Sequence, residues 1–225
     1  MFARFANCSN ALDTAMYLLV RNIQRAILSG ERPLKKVCDK IRQIRSDHPG
    51  KRIEIWFQDE ARFGQQGTLT RQWALKGTRP IGWRQTQYEY LYVFGAACPQ
   101  TGQTTGLLAP YLNTDSVNAF FREFEKEVKT DVHVIMIWDQ AGFHTSKNVR
   151  LPDNVTLIPL PPYSPQLNPI EKLWQYLRKH HWSNRVYANY DALRVAAIDA
   201  WQKTCLDKKK VKSICRAKYV ESEFI

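Results

Sequence analysis

The sequence lacks the signature motifs of several large enzyme classes. Its 225 residues contain no G-x-x-x-x-G-K-[ST] loop, no G-x-G-x-x-G after a strand, no G-x-S-x-G elbow and no H-E-x-x-H pair. These absences exclude a P-loop nucleotide hydrolase, a dinucleotide-dependent redox enzyme, a hydrolase of the nucleophile-elbow type and a zincin metalloprotease.

Cysteine and long apolar runs are also scarce. The five cysteines are scattered without a C-x-x-C pair or a regular spacing, which argues against a disulfide framework and against a zinc site. The first apolar run, residues 15–20, is too short to span a bilayer and lacks a clean basic start and a small-residue cleavage signature. We therefore expect a cytoplasmic protein that does not bind membranes.

Acidic residues are too few to balance the basic ones. The chain carries 33 Lys and Arg against 21 Asp and Glu, which gives a formal net charge of +12. A polyanionic partner is the natural inference, nucleic acid before membrane. Charge alone leaves open the alternative of a basic surface without a partner, and the lysines near residue 210 are equally typical of a solvated helix face.

The first strand is predicted over residues 52–59, where apolar residues run without a break up to an aspartate. Alternation along a strand places Phe57 and Asp59 on one face, and Gln58 and Glu60 on the other. Asp59 and Glu60 therefore cannot both point into one site.

A hairpin follows this strand. An aromatic and apolar run over residues 88–98 and a second run over 104–109 flank a Pro-Gln-Thr-Gly turn. Together with the first strand they predict an antiparallel meander of three strands. Residues 63–84, rich in Gly, Thr, Arg and Trp, are interpreted as a long hairpin or an insertion outside the core.

The remaining elements predict a mixed α/β order. Apolar residues at helical spacing favour a helix over 114–129, followed by a strand over 132–139 and a short strand over 155–160. A further helix opens at Asn168, with Pro169 in its first turn. The order is β-β-β-α-β-(α)-β-α, and more helix is expected after residue 183.

Three carboxylates occupy positions suited to a metal site. Asp59 and Asp139 each end an apolar strand, and Glu171 lies in the first turn of the helix that opens at Asn168. If the two strands are neighbours, the aspartates converge, and their repulsion is relieved by cations between them. Oxygen ligands of this kind suit Mg²⁺, with Mn²⁺ as a substitute, and two such ions catalyse in-line phosphodiester chemistry.

Each of these residues also has a purely structural interpretation. An aspartate at a strand end is often a turn or helix cap, and Glu171 has the spacing of a capping box with Asn168. His144 is a candidate accessory residue, although a hydrogen-bonded surface histidine is the more common explanation. It is the convergence of three carboxylates on one topology that favours catalysis.

Four segments of the sequence carry a resemblance to a known family. They are Ile55–Gly64, Thr70–Ala74, Trp138–Asp139 with His144 beyond, and Leu160–Glu171. Over residues 50–200 the chain resembles the DDE catalytic domain of bacterial insertion-sequence transposases in the mariner superfamily. The part from Tyr163 to Glu171 is the most specific.

The resemblance implies a ribonuclease-H-like fold, with a mixed sheet of three antiparallel strands and then parallel strands, flanked by helices. It also implies two Mg²⁺ ions, bridged by Asp59 and held one each by Asp139 and Glu171. The implied activity is cleavage of transposon ends and strand transfer into target DNA, with double-stranded DNA and a second copy of the chain as partners.

The domain organisation departs from that family. We expect a basic helical segment over 1–50 that is a remnant of a DNA-binding region, a catalytic domain over 51–182, and a basic helical tail over 183–225. Residues 1–50 are too short for the usual pair of helix-turn-helix modules, which suggests a truncated or split copy. Two alternatives remain: another ribonuclease-H-like nuclease such as a junction resolvase, and a catalytically silent DNA-binding remnant.

Overall fold

The computed structural model describes residues 33–67, 69–71, 73–83, 85–139, 148–160 and 167–216. The chain divides into two compact units, residues 1–47 and residues 48–225. In the first unit, helix α1 spans Pro33–Asp47. All elements below belong to the second unit.

A five-stranded sheet forms the centre of the second unit, in the spatial order β3-β2-β1-β4-β5. Strand β2 pairs antiparallel with both β1 and β3, whereas β4 runs parallel to β1 and to β5. The predicted meander is therefore confirmed, and the strands that lead to Asp59 and Asp139 are neighbours, which is the condition for the two aspartates to converge. The strands are β1 (Arg52–Gly64), β2 (Tyr90–Ala97), β3 (Thr104–Ala109), β4 (Val132–Trp138) and β5 (Val155–Pro159).

Helix α2, Thr114–Glu127, covers one face of the sheet. Its N-terminus is capped by Asn113, whose side chain accepts a hydrogen bond from the Ser116 N–H at 2.9 Å. Apolar residues recur at helical spacing, so one side of α2 packs on the sheet beside Trp56 and Phe94 of β1 and β2. The buried residues of α2 are Val117, Phe120, Phe121 and Phe124.

Three further helices cover the opposite face. Helix α3 (Ile170–Leu177) continues into one π-helical turn, Arg178–Trp182, and is followed by α4 (Tyr190–Cys205) and α5 (Lys208–Ile214). Their apolar sides share one core with the outer part of β1 and with β2. The helices after residue 183 thus pack on the same sheet as α3.

The segment between β1 and β2 stays outside the core, as predicted. Among its described residues none lies in a helix or strand, and Trp73, Leu75 and Ile81 are exposed. Its base is fixed by Asn184, whose side chain accepts from the Thr70 N–H and donates to the Thr70 carbonyl. Asn184 has a φ of 56°, a left-handed conformation that asparagine tolerates better than most residues.

Candidate active site

Asp59 lies within β1 rather than at its end. The strand was predicted to stop at residue 59, but it continues to Gly64 because β2 pairs with it over Phe57–Gly64. On the other side of β1, the pairing with β4 ends at Phe57 and Ile137. Asp59 therefore has a neighbouring strand on one side only, and its other side faces the edge where β4 ends.

The hydrogen bonds around Asp59 confirm the predicted alternation of faces. The Trp174 Nε1–H on α3 donates to Asp59 Oδ2 at 2.9 Å, whereas Gln58 Nε2 donates to Glu60 Oε1 at 2.7 Å. Asp59 thus lies on the face covered by α3, and the Gln58–Glu60 pair lies on the face covered by α2. Of Asp59 and Glu60, Asp59 is the one directed toward α3, the helix that carries Glu171.

Gly95 makes the contact between Trp174 and the sheet possible. It is the partner of Asp59 in the β1–β2 register, and a Cβ added there would lie 2.5 Å from Trp174 Cη2. A glycine inside a strand often marks such a close approach. That signal is visible in the run Phe94-Gly95-Ala96, but the sequence does not reveal which side chain approaches it.

Asn168 fixes the start of α3 against β1. Its Nδ2 donates to the carbonyl of Gln58 at 3.1 Å, and its Oδ1 accepts from the Ile170 N–H at 3.3 Å. Asn168 is buried and holds the helix start next to the residue that precedes Asp59. The described residues contain no bond from the Glu171 carboxylate to the Asn168 N–H, so the capping box suggested by the spacing is not formed.

Asp59 and Glu171 lie close enough to repel each other. The pKa of Asp59 is raised to about 7, first by burial, then by the negative charge of Glu171 and then by that of Glu60. Hydrogen bonds from the Glu60 backbone N–H and from Trp174 oppose this rise. A partly buried carboxylate pair of this kind fits a divalent cation, since the ion's charge would remove the repulsion.

Asp139 directly follows β4 and is exposed. In the parallel register Phe57 pairs with Ile137, and Asp59 and Asp139 each come two residues later. Asp139 is not among the groups that shift the pKa of Asp59.

Within the part of the chain that the structure describes, no group of three or more His, Cys, Asp or Glu is arranged to hold a metal ion. His144 lies outside the described residues.

Comparison with protein families gives a match to the family described as DDE superfamily endonuclease, over residues 54–194. The match includes all three carboxylates. The chain is also 39% identical, over 125 residues, to the uncharacterized protein y4pE/y4sA of Sinorhizobium fredii. The aligned region covers 56% of this chain and 93% of that protein. None of the helices in the described ranges is long and apolar enough to cross a membrane.

Solved structures with the same fold include complexes of the Mos1 transposase. The Mos1 strand transfer complex has a TM-score of 0.56 at 16% identity, over 85% of this chain and 58% of that chain. A pre-cleavage Mos1 transpososome has a TM-score of 0.55 at 16% identity, over 85% and 61%. The Mos1 paired end complex with Mn has a TM-score of 0.53 at 16% identity, over 86% and 63%.

At this level of identity the likeness establishes the fold, and the predicted ribonuclease-H-like mixed sheet flanked by helices is confirmed. The chain spans about three fifths of the length of the Mos1 chains that it matches.

Proposed function

The chain belongs to the DDE superfamily endonuclease family, and on that premise we propose that it carries out metal-dependent DNA cleavage and strand transfer at the ends of an insertion sequence. The single observation that carries the proposal is the pair formed by Asp59 and Glu171. The charge of Glu171 contributes to raising the pKa of Asp59 to about 7. A site meant only for stability would gain nothing from two carboxylates held in this way.

The proposed cofactors are two Mg²⁺ ions, with Mn²⁺ as a substitute, held by Asp59, Asp139 and Glu171. Support comes from the oxygen chemistry of these ligands and from the Mos1 paired end complexes, which contain Mn in one case and Mg in another. When bound, such ions activate a water or a 3′-hydroxyl and stabilise the leaving oxygen.

The remaining residues of the site orient these ligands. Trp174 orients the Asp59 carboxylate by a hydrogen bond to Oδ2. Asn168 ties the first turn of α3 to β1 and so sets the position of Glu171 relative to Asp59. Because the pKa of Asp59 is about 7, this carboxyl has to release a proton when it becomes a ligand near neutral pH.

Double-stranded DNA, as transposon ends and as target, is the proposed partner. The net charge of +12 supports this choice, and one of the similar solved structures is a paired-end complex of the Mos1 transposase with the left transposon end. Under this proposal residues 51–182 carry the catalysis in the cytoplasm, flanked by the basic segments 1–50 and 183–225. His144 is retained as an accessory residue.

The proposal includes a homodimer. The segment between β1 and β2 exposes several large apolar side chains, which is unusual for a surface that contacts only water. Its fixed base at Asn184 and Thr70 would present these side chains in a defined position to a second copy. The exposed side chains are Leu69, Trp73, Leu75, Ile81 and Trp83.

Nicking of an end-labelled duplex by the purified protein tests the proposal. We expect strand cleavage that requires Mg²⁺ or Mn²⁺ and that is abolished in Asp139→Asn. Asp131→Asn is the matched control, because Asp131 is an exposed aspartate at the opposite end of β4. Cleavage without added metal, or equal loss in both variants, would refute the assignment.

A second assay separates the alternative activities. With paired insertion-sequence ends and a target plasmid, a transposase yields strand-transfer products, whereas a junction resolvase cleaves four-way junctions and transfers no strands. A catalytically silent remnant would bind the same DNA and give neither product.

A further inference from the structure

A groove of about 590 Å³ lies where β2 begins and β3 ends, and tyrosines dominate its walls. Tyr88 and Tyr111 are 79% and 69% exposed, and Tyr90 is 42% exposed. Tyrosine presents a large apolar ring at low cost in conformational entropy, so a cluster of exposed tyrosines is typical of a binding surface. The tyrosines that line the groove are Tyr88, Tyr90, Tyr92, Tyr111 and Tyr190.

The rings at the centre of the groove are held in place by their neighbours. Tyr90 and Tyr92 contact each other edge to face, with ring centroids 5.6 Å apart. The Arg62 guanidinium carbon lies 5.4 Å from the centroid of the Tyr90 ring, within the range of a cation–π contact. Tyr190 is the first residue of α4, directly after the Asn189 cap. The groove therefore offers a preformed aromatic surface.

The charges near the groove favour one kind of ligand. Arg62 contributes a positive charge beside Tyr90, but the acidic Glu89 also lines the groove. A site built for phosphate alone would avoid that carboxylate, whereas a base that stacks on an aromatic ring needs no net charge beneath it. The formal net charge of +12 would attract a DNA strand to this chain, and exposed aromatic rings are suited to stack on its bases.

We propose that the tyrosine groove binds unstacked nucleobases of a DNA strand that leaves the candidate active site around the end of the sheet; the proposal rests on the function proposed above. The groove lies at the end of the sheet toward which β1 runs after Asp59, because Tyr90 pairs with Gly64 and Asp59 pairs with Gly95. Five strand positions, about 16 Å, separate the two along β1. Because side chains alternate along a strand, Tyr90 and Tyr92 lie on the α2 face and Asp59 lies on the α3 face, so the DNA strand has to pass the end of the sheet to reach the groove.

Binding without metal tests the groove apart from catalysis. The probe is a fluorescein-labelled single-stranded oligodeoxynucleotide of about 15 nucleotides, compared with an abasic strand of equal length. The double variant Tyr88→Ala/Tyr111→Ala removes two exposed rings, and Tyr88→Phe/Tyr111→Phe keeps them. Leu206→Ala is the control, since Leu206 is 65% exposed and lies outside the groove.

We expect the alanine pair to weaken binding of the base-bearing strand about 10-fold or more and to leave the abasic strand unaffected. The phenylalanine pair and Leu206→Ala should bind like wild type. Equal losses on both probes, or no loss on either, would overturn the proposal. So would tighter binding of a proline-rich peptide that also requires the rings, since this result would assign the groove to a polyproline segment.

The outcome is separable from that of the proposed function. If the wild type never nicks DNA but its binding still depends on the rings, the proposed function fails and the groove stands. If it nicks DNA and its binding does not depend on the rings, the groove fails and the function stands.

Discussion

The stability of the metal-free protein should increase when Asp59 is replaced by asparagine. The ionised Asp59 carboxylate is destabilised on the α3 face by burial and by the charges of Glu171 and Glu60, which raise its pKa from 3.8 to about 7. A rise of this size corresponds to at most about 4 kcal/mol of lost stability once the carboxyl is ionised. Asparagine carries no charge and therefore avoids this cost.

Part of that gain is offset by a lost hydrogen bond. The Asp59 carboxylate accepts from Trp174 Nε1 and from the Glu60 backbone N–H. The single amide oxygen of asparagine can retain one of these two, and losing the other costs about 1 kcal/mol. The expected net gain for Asp59→Asn is therefore at most about 3 kcal/mol at pH 8, which is at most about 9 °C in Tm for a chain of this size.

The difference in stability between Asp59→Asn and wild type should depend on pH. Below about pH 4 the carboxyl is protonated in both the folded and the unfolded protein, so the variant should gain nothing there. As the pH rises toward 7, the unfolded state ionises first, and the wild type loses stability relative to the variant. Above about pH 7 the difference should be constant.

Urea unfolding of both proteins between pH 4 and pH 8, in a chelating buffer, measures this difference. The comparison between variant and wild type cancels the other titrating groups. In a buffer without chelator, added Mn²⁺ should stabilise the wild type and not the variant. Cleavage should be lost in Asp59→Asn but largely kept in Glu60→Gln. An Asp59→Asn protein that is less stable at pH 8, or a difference that does not change with pH, would refute the electrostatic account of the site.

Three further predictions follow from the same structure. Glu171→Gln should lose most of the Mn²⁺-induced thermal shift and most of the cleavage, without a decrease in metal-free Tm, because the repulsion with Asp59 is relieved; Glu125→Gln on α2 is the control, and unaltered shift and cleavage for Glu171→Gln would leave Glu171 a structural role only. Gly95→Ala should lower stability by about 1–3 kcal/mol because its methyl group would displace Trp174. Gly67→Ala, where a Cβ has its nearest neighbour at 3.5 Å, should be tolerated better. DNA affinity should fall with rising salt at a slope of about −0.9 per phosphate neutralised, as measured by anisotropy, and an affinity insensitive to salt would contradict electrostatic binding.

Much of the fold could be predicted from the sequence because its signals are local. The alternation in β1 correctly assigned Asp59 and Glu60 to opposite faces, and the helical spacing of apolar residues correctly predicted helix α2. The predicted end of β1 at residue 59 was wrong, because the length of this strand depends on how far β2 pairs beside it. That pairing partner lies about 30 residues away along the chain.

Only part of the candidate site could be predicted from the sequence. The three carboxylates were identified from strand ends, from a helix start and from a family resemblance. The supporting residues Trp174, Asn168 and Gly95 were not assigned their roles. Each acts through a contact with a distant segment, and no local pattern specifies such a contact.

The sequence predicts Asp59, Asp139 and Glu171 as the acidic residues of a site, and by itself it determined the order of the elements and their buried faces. These properties follow from the periodicity of strands and helices, which each segment carries within itself. The tertiary structure decided how far β1 extends and that Glu171 raises the pKa of Asp59. It also brought five tyrosines that are distant in sequence, the first Tyr88 and the last Tyr190, to the walls of one groove. Burial, repulsion between charges and shared walls depend on distances between chain segments, and those distances exist only once the chain has folded.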